Sequence, residues 1–185
     1  MYLKTLFLKY KSVIKFILLF LGTYLVLIFL YSLYLDYGKS EVYYPDFITH
    51  LVAKQTTAVI ESFGYNASMH AFVPGASMGL YIDDFFLAQV VEGCNAVSVI
   101  ILFVAFVVSF SEKFKKTALF IFAGIALTYA VNILRVALLT IALYHYPEHT
   151  DFLHQIVFPA IIYGMVFLLW LFWVKNVTVK KRNNE

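Results

Sequence analysis

The chain has 185 residues, of which 62% are hydrophobic, 19% aromatic and 14% charged, with a net charge of +3. Soluble domains carry about 45–50% apolar and about 25% charged residues, so an ordinary soluble globule is excluded, and no nucleic-acid partner is expected. The single cysteine excludes an intramolecular disulfide and any CxxC redox or zinc motif.

Residues 1–15 are a basic segment with Lys4, Lys9, Lys11 and Lys15. An apolar run over 16–35 follows. It is long enough to cross the roughly 30 Å hydrocarbon core, which takes about 20 residues of helix. It exceeds the 7–15 residues of a signal h-region, and no small-residue cleavage site follows it, so a retained anchor is expected. Tyr31, Tyr34 and Tyr37 gather at its far end, as interfacial aromatic belts do.

A polar insert spans 36–93. Within it Tyr44-Pro45-Asp46 starts a helix over about 46–63, and Gly64 stops it. Phe47, Leu51, Val52, Val59, Ile60 and Phe63 keep helical spacing between them. Short strands are expected over about 65–91, around the Pro74-Gly75 turn. A second apolar run covers 94–110, and a short basic loop, 111–117, carries Lys113, Lys115 and Lys116. A third run covers 118–143. A loop over 144–153 contains Pro147, a fourth run covers 154–174, and a basic tail closes the chain over 175–185. The expected fold class is an all-α polytopic membrane protein, with four transmembrane helices and a small α/β extracytoplasmic cap.

Eleven of the fourteen Lys and Arg residues fall in the N-terminus, the 111–117 loop and the tail. With four spans these share one side, which the positive-inside rule makes cytoplasmic. Both termini are then cytoplasmic and the insert faces outward.

Three residues are candidates for chemistry. Cys94 stands in Val91-Glu92-Gly93-Cys94-Asn95-Ala96, where the insert meets the second span. The spacing places it on the first helical turn, whose free N–H groups and dipole favour an anion, and thiolate is the nucleophilic form of cysteine. The plain alternative is a small apolar filler. Arg135 lies inside the third run, in Asn132-Ile133-Leu134-Arg135, roughly 13 Å below the outer end at about 1.5 Å per residue. A charge there costs at least ~2.5–3.5 kcal/mol, and such residues usually face a polar interior. A structural ion pair with Glu92 is the alternative. His154 opens the fourth span at a similar depth, with Asp151 one turn before it. His145 and His149 in the adjacent loop are its rivals. Asn132 shares the Arg135 face, and Asn95 follows the thiol. The five histidines form no HExxH motif and make a weak metal case, so neither metal nor cofactor is expected. A Cys–His pair suits thiol acyl transfer, and an arginine supplies a donor for an oxyanion.

In Glu92-Gly93-Cys94-Asn95-Ala96, Asn132-Ile133-Leu134-Arg135 and His154 at the head of the last span, the sequence resembles the exosortase/archaeosortase family of membrane cysteine transpeptidases. The resemblance covers roughly residues 60–174, and the four-span length is similar to compact exosortase F-type proteins. The common family pattern has serine then glycine after the cysteine, where Asn95 and Ala96 stand here. The resemblance implies catalytic Cys94, Arg135 and His154, supported by Asn132, Asn95, Glu92 and Asp151. It implies a bacterial inner-membrane enzyme that cleaves C-terminal sorting tails of exported proteins at the outer face through a thioester. Its partners would be that transmembrane sorting signal and the bilayer, with oligomeric state open. Two other classes remain: a non-catalytic membrane scaffold or assembly protein with an outer binding cap, and a small transporter component. The second lacks a Gly/Pro-broken helix pair.

Overall fold

The structure, a computed structural model, describes residues 10–111, 113–149 and 152–182, with side chains described as far as Asn176. Lys4, Lys9, Glu112, Asp151 and the last residues of the basic tail lie outside the described residues.

Helix α1, Lys11–Tyr37, has 27 residues and buries none of them, as an apolar helix in lipid can. Helix α2, Phe47–Ser62, begins at Asp46, whose Oδ1 accepts from the N–H groups of Ile48 (3.0 Å) and Thr49 (3.1 Å). This carboxylate cap satisfies two helix-end donors. The Tyr34 hydroxyl donates to the same oxygen at 3.0 Å, so the cap of α2 is tied to the end of α1.

Three antiparallel strands follow in the order β1 (Ala67–Phe72), β2 (Ser77–Ile82) and β3 (Phe85–Val90). The β2–β3 turn is Asp83-Asp84, with φ of 49° and 66°. Two consecutive positive φ values fit the tight turn that a right-twisted hairpin needs, and aspartate tolerates them better than most side chains. Helix α2 packs Val52, Ala53 and Ile60 against Met78, Leu80, Ile82 and Val90 of the sheet.

Helix α3, Val97–Ser109, has 13 residues, and α4, Phe114–His145, has 32. At about 1.5 Å per residue these measure about 20 and 48 Å. The 94–110 run is thus a shorter helix than the sequence suggested: α3 falls short of the roughly 30 Å core. Three helices, Lys11–Tyr37, Phe114–His145 and Leu153–Asn176, are long and apolar enough to cross a membrane. The surplus length of α4 stands beside the cap, where Ile133, Val136 and Ala137 join the α2–sheet core. A π turn, Leu153–Val157, leads into α5, Phe158–Arg182. Away from the cap, Phe103 and Val107 of α3 pack with Val166 and Trp173 of α5 and Phe120 of α4.

Candidate active site

Cys94 closes a 3-10 turn, Glu92–Cys94, and α3 begins only at Val97. The thiol is therefore not on the first turn of the α-helix, contrary to the sequence expectation. The reason is Ala96, with φ 66° and ψ −2°. A left-handed residue cannot continue a right-handed helix backwards, so the α-helix stops there.

Two asparagines fix this turn. The Cys94 N–H donates to the Val91 carbonyl at 2.8 Å, and the Cys94 carbonyl accepts from Asn132 Nδ2 at 2.8 Å. Asn95 is fully buried. Its Oδ1 accepts from the Val97 N–H at 3.0 Å, and its Nδ2 donates to the Tyr31 hydroxyl (2.9 Å) and to Thr49 Oγ1 (3.2 Å). One side chain thus joins α1, α2 and the start of α3 directly behind the thiol. A buried amide so fully used rigidifies what it touches.

Arg135 stands three residues after Asn132, on the same face of α4. Its Nε is buried with no hydrogen-bond partner, and among the described residues it forms no ion pair. Glu92 is exposed and lines a different cavity, of about 540 Å³ at the cap surface, with Lys39 and Glu41. The Glu92–Arg135 pair considered from the sequence is not formed, because the 3-10 turn sends Glu92 and Cys94 to separate cavities. Arg135 lies 21 residues after Phe114, or about 31 Å along α4. That is about one hydrocarbon thickness from the far end of the helix.

His154 lies in the π turn, a local widening often found at functional sites. Nothing in the sequence marked that turn. The rival histidines point elsewhere. His145 Nε2 lies 2.7 Å from the Tyr65 hydroxyl, and exposed His149 lies 3.9 Å from Glu148. Asp151 lies outside the described residues.

Cys94, Arg135 and His154 line one cavity of about 160 Å³. Its remaining walls are Val136, Leu139 and Leu143 of α4 and Leu87, Ala88 and Gln89 of β3. Neither His145 nor His149 lines it. The sequence reading expected a strand up to 91, just ahead of Cys94, but did not assign Leu87, Ala88 or Gln89 to the site; that position was the signal that could have found them. Among the described residues no group of three or more His, Cys, Asp or Glu side chains could hold a metal ion. The cavity therefore offers a thiol, an unpartnered guanidinium and an imidazole between apolar walls.

The family model for transmembrane exosortases matches residues 7–175, nearly the whole chain. No curated protein and no solved structure gives a significant match. With three helices long and apolar enough to cross a membrane and a match of that extent, the chain belongs to the transmembrane exosortase family.

Proposed function

We propose that this exosortase-family protein is a cysteine transpeptidase that cuts C-terminal sorting tails of exported proteins at the outer face of the membrane. The observation that carries the reading is the shared cavity of Cys94, Arg135 and His154, brought together from three separate elements. His154 takes the proton from the Cys94 Sγ. The thiolate attacks the carbonyl carbon of the scissile peptide, and the Arg135 guanidinium, with no internal partner to release, holds the oxyanion. Collapse of the tetrahedral intermediate breaks the C–N bond, and His154 returns the proton to the leaving amine. The thioester then passes to an amine acceptor or to water, which restores the thiol. Asn132 and Asn95 are positioning residues, since they hold the turn that carries the sulfur.

Depth and charge support the outer location. The cap carries most of the acidic residues, and the Lys-rich 111–117 loop lies at the opposite end of α4 from the cap. A bacterial inner membrane with both termini cytoplasmic fits this arrangement. The test is mass spectrometry of surface proteins from cells carrying Cys94→Ala. Proteins that keep an uncut C-terminal tail, while the variant still inserts, are the expected result. Tails cut as in the unaltered cell would remove the reading and leave the scaffold class.

A further inference from the structure

The sheet ends at β3, so one side of that strand has no partner strand. Among the described residues no backbone hydrogen bond from outside the sheet reaches residues 85–90. This open edge faces the Cys94 cavity. Leu87, Ala88 and Gln89 are consecutive, yet all three line it. A β-bulge at Leu87, opposite Leu80 and Tyr81, turns Leu87 and Ala88 to one face. Past it Ala88 and Gln89 point to opposite faces, so both reach the cavity where the strand turns its edge towards it. Phe85–Val90 contains neither charge nor proline, and its one edge device is the bulge at Leu87, which leaves the run Ala88–Val90 beside the thiol regular. Outward N–H and C=O groups along one strand edge beside a nucleophile form a surface that reads main chain, and an extended peptide is what fits it.

The direction is also fixed. β3 leaves the Asp83-Asp84 turn, where the Tyr144 hydroxyl near the cap end of α4 donates to Asp83 Oδ2 at 2.9 Å. It ends at Val90, which packs with Ile133 and Val136, just above the Asn132–Cys94 contact. The strand therefore descends along α4 towards the thiol. A tail whose transmembrane helix follows its cleavage point runs in the same direction.

We propose that the segment of the tail just ahead of its transmembrane helix binds as a fourth strand, parallel to β3, and delivers its scissile carbonyl to Cys94 at the strand's lower end. The proposal rests on the acyl-transfer reading above. Recognition is by main-chain hydrogen bonds along β3, with the side chains of the motif read by the cavity walls. A parallel strand added to an antiparallel sheet is an ordinary mixed arrangement.

Two experiments test it. Consecutive N–H groups on a strand point to opposite edges, so of Ala88→Pro and Gln89→Pro one removes an outward donor and the other breaks the ladder to β2. The outward variant should still insert and should react with a maleimide at Cys94 at the unaltered rate, yet yield about five- to tenfold fewer cut tails. In Cys94→Ala cells, a photo-cross-linking phenylalanine analogue at Leu87 or at Gln89 should capture uncut tails identified by their own C-terminal peptides. The Leu87 product should map to the N-terminal side of the Gln89 product. Unreduced cutting in both proline variants, no captured tail, or a reversed order would overturn the proposal while Cys94-dependent cutting persists. Tails still cut in Cys94→Ala cells would instead remove the acyl-transfer reading, and the proposal with it.

Discussion

Ala96 holds φ 66° immediately before α3, where the Cβ of an L-residue crowds the next carbonyl. Glycine has no such cost. Ala96→Gly should therefore keep full cleavage and gain on the order of 0.5–1 kcal/mol, read by thermal unfolding in detergent. Ala96→Val should lose at least that much. A loss of stability in the glycine variant would mean that this turn is not strained. At Arg135 the test separates charge from shape. Lysine keeps the charge but not the planar fork of donors, so Arg135→Lys should lower cleavage about 10²–10³-fold with insertion unchanged. Wild-type cleavage would leave the guanidinium without an oxyanion role. The types and spacing of Cys94, Arg135 and His154 are legible in the sequence, because a charge in an apolar run and a lone thiol at its mouth stand out. The left-handed Ala96 is not, since alanine carries no preference for that region. Nor is the role of Asn95, whose partners Tyr31 and Thr49 are 64 and 46 residues away.

Helix crossings are set by side-chain size, and α3 meets α4 at Gly124. A Cβ there would overlap the ring of fully buried Phe103, which is itself packed on Phe120. Small residues let membrane helices approach closely, and a wedge in such a contact costs about 1–3 kcal/mol. Gly124→Ala should lower the unfolding temperature in detergent, and the added substitution Phe103→Leu should recover part of the loss. An unaffected single variant would contradict the close approach. Long apolar runs announce α1, α4 and α5 because a bilayer demands about 20 such residues. The 13-residue α3 is harder to read, because its run continues unbroken into the Cys94 turn and only the backbone at Ala96 divides them. The π turn at His154 is likewise invisible to a 3.6-residue period.

Across the whole molecule, the cap and the surplus length of α4 place the site at one end of the bundle. The basic loop and tail stand at the other end. The charge asymmetry that suggests this orientation is readable without coordinates. The meeting of β3, α4 and the π turn around one cavity is not, since it depends on long-range packing of Leu87 and Ala88 against Leu139, Leu143 and Phe158. The reading depends on a thiol open to the cap side and coupled to an imidazole. Its most direct measurement is the alkylation rate of Cys94 in intact cells by a membrane-impermeant maleimide, followed against pH with and without His154→Ala. Labelling from outside, with a pH profile that changes when the imidazole is removed, is the expected result. A thiol that stays unlabelled, or profiles that superimpose, would contradict it.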